Sequence, residues 1–155
     1  MDEGVGSKGK KMVLRLKPGE ELVECLLKAY EENGFKNAII TGCIGSLKKI
    51  AYKFAIKDKT KPLGFRYCDN IQEEGIIEFI GAQGNICRDT EGKLLYHIHA
   101  VFVDDTGKVK GGHLIDRSNE VLATMEICLE EIEDIVMIRV MDDMIKAPVL
   151  TFFKP

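Results

Sequence analysis

The feature that most constrains the fold is a turn motif, beginning with Asp and ending with Gly, that occurs twice: Asp89-Thr90-Glu91-Gly92 and Asp104-Asp105-Thr106-Gly107. In each turn the aspartate can accept hydrogen bonds from the backbone just after it, and the glycine tolerates a positive φ. Two such turns about 15 residues apart indicate strands that fold back on each other. The chain is therefore predicted to contain an antiparallel meander over roughly residues 83–88, 93–103 and 108–115.

One helix and several further strands are predicted outside the meander. The apolar stripe of the helix consists of Leu22, Cys25, Leu26, Ala29 and Tyr30. Acidic residues at Glu20 and Glu21 begin this helix, and Gly34 ends it. Segments with strand character are residues 12–16, 38–46, 50–56, 76–80, 121–129 and 135–140, and residues 149–153 are apolar enough to dock. The predicted fold class is α+β, with a central antiparallel or mixed β-sheet and few helices.

The length of 155 residues suits one domain with a sizeable core. Residues 1–10 are rich in glycine and charge without periodicity, so they are predicted to be a flexible tail before a single domain over residues 11–155. The absence of a signal peptide and of a run of about 18 apolar residues favours a cytoplasmic location without membrane contact. The five cysteines form no C-x-x-C pair, so any metal would need histidine and carboxylate ligands.

All three histidines of the chain lie within 17 residues of each other, around the second turn. His97 and His99 are two apart, so on a strand both side chains point to one face. His113 returns on the next strand, and three imidazoles plus water make an open tetrahedral zinc site. The alternative is a polar strand face whose histidines are hydrogen-bonded to neighbouring side chains.

The parity of the hairpin decides whether the three imidazoles can converge. If Asp105 and Thr106 form a two-residue loop, His113 pairs with Ile98 and points to the wrong face. An odd-length loop, or one bulge in the returning strand, brings His113 opposite His99 instead. Gly111-Gly112 is a natural place for such a bulge, although the two glycines also fit plain turn chemistry. We predict the odd loop or the bulge, unless His113 meets the pair from another subunit.

Two glutamates are candidates for a catalytic role beside such a metal. Glu78 and Glu126 each lie within an apolar strand. Either could accept a hydrogen bond from a ligating imidazole or act as a general base toward a metal-bound water. The alternative is that both lie on a solvated or subunit-facing side. The sequence contains no G-x-S-x-G, P-loop or G-x-G-x-x-G motif, so nothing points to acyl, phosphoryl or hydride transfer.

A basic segment interrupts this mildly acidic chain, whose formal net charge is −3. Its members, candidates for nucleic-acid contact, are Lys48, Lys49, Lys53, Lys57, Lys59, Lys61 and Arg66. Such a segment can attract phosphates locally, but the field of the whole molecule does not favour nucleic acid. Solvated surface is the alternative interpretation.

Several of these motifs together resemble a known family. The succession consists of Pro18-Gly19-Glu20, Gly45-Ser46-Leu47, residues 75–79, His97-Ile98-His99 and Gly111-Gly112-His113-Leu114. In this order, over about residues 11–153, it resembles the PPC domain, named for its conservation in plants and prokaryotes. The H-x-H and G-G-H-L pair is the most specific part of the match.

The resemblance implies an α+β fold with a central antiparallel sheet, homotrimerisation as in prokaryotic members, and a zinc-type ion at His97, His99 and His113. Single-domain members are commonly described as predicted DNA-binding proteins. In plant members an AT-hook built on Arg-Gly-Arg-Pro enters the DNA minor groove, and this sequence contains no such element.

Two hypotheses follow. The preferred one is a homotrimeric PPC-type binding or regulatory module, DNA as a partner included, with a metal or small ligand at the histidines. The other is a zinc-dependent lyase or hydrolase, with His97, His99 and His113 as ligands and Glu78 or Glu126 as base.

Overall fold

In the computed structural model, which describes residues 6–115 and 117–154, ten strands and one helix follow each other along the chain. The elements are β1 (Ser7–Leu16), α1 (Leu22–Glu32), β2 (Ala38–Lys53), β3 (Ala55–Lys57), β4 (Phe65–Tyr67), β5 (Ile71–Asp89), β6 (Leu94–Val103), β7 (Val109–Leu114), β8 (Val121–Glu133), β9 (Val136–Asp142) and β10 (Ala147–Phe153). No helix in these two ranges is long and apolar enough to cross a membrane.

Eight of the strands form one sheet in the order β1-β8-β2-β7-β6-β5-β9-β10, and β2 pairs with β5 as well. The strands β2, β7, β6 and β5 therefore close into a ring. The pairing of β2 with β7 is the shortest side of this ring, with Tyr52 opposite Leu114 and Lys53 opposite His113. Neighbours run antiparallel except β5 and β9, which are parallel, so the sheet is mixed. The fold is β-rich with a single helix, so α+β overstates its helical content.

The predicted meander and the predicted helix are confirmed. β5, β6 and β7 follow each other through the two aspartate-glycine turns. The helix buries its apolar stripe against the sheet, including Leu22, Leu26 and Tyr30. Glu21 caps its start by accepting a hydrogen bond from the Glu24 backbone N–H at 2.7 Å. These features depend on contacts between residues near in sequence, which is why the sequence shows them.

Two pairs of predicted strands are in fact single long strands. Residues 38–46 and 50–56 are predicted as separate strands, yet β2 continues from Ala38 to Lys53, and only the end of the second segment belongs to another strand, β3. Residues 76–80 and 83–88 likewise belong to β5. The pairing shifts between Leu47 and Lys49 on β2, and between Phe79 and Gly81 on β5. At each place the strand bends through a bulge and keeps its partner strands. A local break in the alternation of apolar and polar residues therefore does not end the strand.

Two segments predicted to be irregular contain paired strands. Of the predicted flexible tail, residues 7–10 belong to β1, with Ser7 opposite Glu133 on β8; residues 1–5 lie outside the described residues. Between the predicted strands 50–56 and 76–80, where no element is predicted, β4 pairs with β3 as a separate two-stranded hairpin, residues 55–67. In both cases the backbone of a partner strand stabilises a segment that has little apolar periodicity of its own.

Candidate metal centre

The three histidines converge on one face of the sheet. His97 and His99 alternate on β6 with the buried Ile98 and Ala100, so both point away from the core. His113 lies on β7 directly opposite His99. The Nε2 atoms of His97 and His99 are 3.0 Å apart. One ring nitrogen from each of the three residues can be chosen so that all lie within 4.8 Å of one another.

The loop between β6 and β7 sets this register. Val103 pairs with Val109, and the backbone N–H of Asp104 donates to the carbonyl of Lys108 at 3.0 Å. Three residues therefore form the loop, which ends at Gly107 with a φ of 81°. The predicted odd loop is confirmed, and it brings His113 opposite His99 within one chain.

Gly111 and Gly112 allow the backbones of neighbouring strands to approach closely. The β6–β7 pairing has no bulge at these residues. A Cβ atom at Gly111 would lie 2.5 Å from the carbonyl oxygen of Ala100. At Gly112 it would lie 2.5 Å from the carbonyl oxygen of Lys53. Neither position has room for a side chain, so the two glycines let β7 fit between β6 and β2. Of the two predicted alternatives, the odd loop and not a bulge at these residues therefore sets the register.

Burial and nearby cations keep two of the imidazoles neutral. Desolvation, then Arg139 and His99, lower the pKa of His97. Desolvation, then His97 and Lys53, lower the pKa of His113 to about 4. The Nδ1 atom of His113 is buried without a hydrogen-bond partner. Neutral imidazoles with free lone pairs are the form in which histidine binds a metal.

A buried arginine next to the histidines was not recognised from the sequence. Arg139 on β9 is only 5% exposed. Its Nη2 donates to the side-chain oxygen of Asn85 at 2.5 Å, and its Nη1 donates to the carbonyl of Pro148 at 3.1 Å. Asn85 lies on β5 opposite His97. The only signal in the sequence was a single cation within the apolar segment 135–140.

An open depression of about 720 Å³ begins beside His99. Among the residues that line it are Ile44, Ile80 and Val101. Ile44, Ile80 and Val101 are each about half exposed, at 55%, 52% and 47%. The depression is therefore an apolar surface on the outer face of the sheet, in contact with the histidine cluster on one side.

The structure brings Glu78 and Glu126 near each other, but not into this depression. Both are exposed, and they line a second depression of about 310 Å³ together with Thr124. No histidine of the described residues lines it. Neither glutamate is among the groups that influence the pKa of His97 or His113.

The basic segment does not form one continuous patch. Three of its members are engaged by carboxylates: Lys48 by Glu120, Lys49 by Glu74 and Arg66 by Asp58. Lys53 lies over the ring of Tyr67, with its Nζ 5.1 Å from the ring centroid. Lys57, Lys59 and Lys61 lie on β3 and on the connection to β4. What remains is a small basic hairpin.

Several solved protein structures have a fold similar to that of this chain. A metal-containing protein from Archaeoglobus fulgidus is 25% identical, with a TM-score of 0.80 over 97% of this chain and 99% of that one. A plant- and prokaryote-conserved protein from Pyrococcus horikoshii is 28% identical, with a TM-score of 0.77 over 96% of both chains. A protein from Ralstonia eutropha described as a "putative DNA-binding protein" is 22% identical, with a TM-score of 0.71 over 92% and 96%. No curated protein matched the sequence.

The sequence itself matches one family model over most of its length. The model of the Plants and Prokaryotes Conserved (PCC) domain, which is the PPC domain of the resemblance, aligns with residues 3–133. That range includes the three histidines, both turns and the helix, whereas Arg139 lies beyond it. This chain belongs to the Plants and Prokaryotes Conserved domain family.

Proposed function

We propose that this protein is a PPC-type binding module that holds a zinc-type divalent ion with His97, His99 and His113. One observation carries the proposal, the convergence of three ring nitrogens within 4.8 Å. Two nitrogens on a tetrahedral zinc ion are about 3.3 Å apart, given Zn–N bonds of about 2.0 Å. Small side-chain rotations would bring the three imidazoles to that spacing, and the fourth position would stay open.

The donor set fits such an ion. His113 offers a buried nitrogen that has no other partner, and the lowered pKa of His97 and His113 leaves both rings unprotonated at neutral pH. Neutral nitrogen ligands suit zinc, copper and nickel better than magnesium or calcium. The description of the Archaeoglobus fulgidus relative as metal-containing is consistent with this assignment.

Metal analysis of protein purified without a histidine tag tests the site. We expect about one zinc-type ion per chain in the wild type and in Val103→Ala, a control on the same face of β6. We expect His97→Ala to bind zinc at least about tenfold more weakly, since a ligand is lost. A wild type that binds no divalent transition metal would contradict the proposal.

We also propose that the module assembles as a homotrimer. The apolar depression of Ile44, Ile80 and Val101 supports self-association, because exposed apolar patches of this kind mark interaction sites. Light scattering after size exclusion should give three times the mass of the chain, and Ile80→Glu should lower it to one. Thr90→Glu, on the β5–β6 turn, is the control for the added charge. A wild type that elutes as a monomer at micromolar concentration would refute the trimer.

For DNA, we propose the β3–β4 hairpin as the contacting element. It carries Lys57, Lys59, Lys61 and Arg66 against Asp58, and a two-stranded ribbon fits the major groove. The Ralstonia eutropha relative's description points the same way. The acidic net charge of −3 opposes this contact, so we expect weak binding without sequence preference that falls steeply with salt.

An electrophoretic shift with random duplex at low salt tests the DNA contact. We expect micromolar protein to shift the duplex, and the triple variant Lys57→Glu, Lys59→Glu, Lys61→Glu to lose the shift. The matched control changes the net charge equally at the exposed Lys28, Lys93 and Lys146. Equal loss in both triple variants would mean that only the overall charge matters, which would refute the role of the hairpin.

The zinc-dependent lyase or hydrolase hypothesis has less support. Its ligands would be the same histidines, but its proposed bases, Glu78 and Glu126, line the second depression with Thr124. A general base must reach the metal-bound water directly or through one further water.

A further inference from the structure

Two cations flank the histidine cluster in a row of residues that crosses the sheet. Lys53 on β2 pairs with His113 on β7, and His113 pairs with His99 on β6. On the other side His97 pairs with Asn85 on β5, whose side-chain oxygen accepts a hydrogen bond from Arg139 on β9. These five strands are consecutive neighbours in the sheet. The three imidazoles therefore lie between two cations.

No carboxylate balances these two cations. Among the ion pairs of residues 6–115 and 117–154, none includes Lys53 or Arg139. Apart from burial, the groups that lower the pKa of His97 and His113 are cations and other histidines. Carboxylates are common partners of metal-ligating imidazoles, and none of the described carboxylates acts on His97 or His113.

Of the two cations without a counter-ion, Arg139 is the buried one. Its side chain is 95% buried, its two hydrogen bonds go to neutral oxygens of Asn85 and Pro148, and its Nε has no partner. The thiol of Cys87 lies against the guanidinium, but burial raises the pKa of that thiol and keeps it neutral. A buried charge without a counter-ion is strongly unfavourable. A divalent metal at the histidines would add further positive charge to the same place.

We propose that the open position of the metal centre binds a small oxyanion, a carboxylate or a phosphate, whose charge is balanced by Lys53 and Arg139. This inference rests on the proposed metal site. A metal there would supply the bond to one anion oxygen, and the anion would supply the negative charge that no carboxylate of the described residues supplies to Lys53 and Arg139. The anion and the metal should therefore bind cooperatively, each weakly without the other.

The test uses full-length protein loaded with Co²⁺, whose visible absorption changes when a ligand enters the open position. Sodium acetate is added in one arm and inorganic phosphate in the other, with ionic strength held constant by perchlorate, which coordinates weakly. We expect at least one of the two anions to change the spectrum in a saturable way. The arm with the lower dissociation constant identifies the oxyanion class.

Lys53→Met tests the charge balance at a partly exposed position, and Lys49→Met on the same strand is the matched control. We expect Lys53→Met to weaken anion binding about tenfold and Lys49→Met to leave it unchanged. Arg139→Met should weaken it similarly, provided that circular dichroism shows a folded protein.

The outcomes separate this inference from the proposed function. Cobalt binding at the histidines without any response to acetate or phosphate would overturn the oxyanion and leave the metal site intact. Anion affinity equal in the wild type and in Lys53→Met would also overturn it. Failure of the chain to bind cobalt at all would refute the metal site first, and the oxyanion with it.

Discussion

At His113, burial has a consequence for stability as well as for metal binding. Its pKa is lowered from 6.5 to about 4, so between these values the unfolded chain takes up a proton that the folded chain does not. Unfolding is then favoured as the pH falls, and the folded state loses about 2 to 3 kcal/mol from pH 7 to pH 4 through this residue. Above about pH 6.5 the contribution of His113 to the pH dependence vanishes.

Urea denaturation of the metal-free protein at pH 7 and pH 5 measures this effect. Other groups titrate in the same range, so the comparison is with His113→Gln under identical conditions. The variant should lose less stability on acidification than the wild type. An equal loss in both proteins would show that His113 is already protonated at pH 5 in the folded state.

Gly112 offers a second test at the residue scale. Because a Cβ there would lie 2.5 Å from the Lys53 carbonyl, Gly112→Ala should displace β7 and destabilise the fold by roughly 1 to 3 kcal/mol. Displacement of β7 also moves His113, so zinc affinity should fall. Gly42→Ala is the control, since its Cβ would have ordinary contacts at 3.7 Å. Thermal unfolding and metal titration of both variants check the prediction, and equal behaviour of the two would contradict it.

At the scale of elements, the register of the β6–β7 hairpin decides whether the three histidines converge. Deletion of Val109, which lies between the loop and His113, would keep the three-residue loop, and His113 would then pair with Ala100 and point to the other face. We expect this deletion to abolish zinc binding, measured by calorimetry.

A matched control keeps the register of the hairpin and changes the sequence of its loop. Asp105→Thr with Thr106→Glu gives the β6–β7 loop the residues found between Asp89 and Lys93 in the other turn. Since both turns have three-residue loops closed by glycine, this variant should bind zinc like the wild type. Loss of zinc in the control would show that loop residues, and not register, determine the site.

The elements also show what a sequence can and cannot predict here. The turns, the helix and the approach of His113 to His99 follow from local chemistry and parity, and all three are confirmed. The length of β2 and the pairing of residues 7–10 depend on partner strands far along the chain. Arg139 was missed for the same reason, because its partner Asn85 is 54 residues away. Long-range pairing, rather than propensity, determines these features.

At the scale of the whole molecule, a metal at the histidines should stabilise the folded state by mass action. Zinc at about 100 times its dissociation constant contributes about 2.7 kcal/mol, which raises the melting temperature of a chain this size by roughly 5 to 10 °C. Differential scanning calorimetry at constant protein concentration measures the shift. His97→Ala should show almost none. An equal shift in the variant would place the bound zinc elsewhere, with the five free cysteines as the first candidates.

The short side of the strand ring lies directly beside the histidine cluster. β2 and β7 share only two residue pairs, Tyr52 with Leu114 and Lys53 with His113, whereas the other sides of the ring are much longer. Local opening begins where backbone pairing is least extensive. We therefore expect local opening at the β2–β7 pairing, with faster amide hydrogen exchange there than along β5. Such an opening would expose the buried Nδ1 of His113 to solvent, so the proposed metal ion would reach its ligands through the same motion that its binding then suppresses.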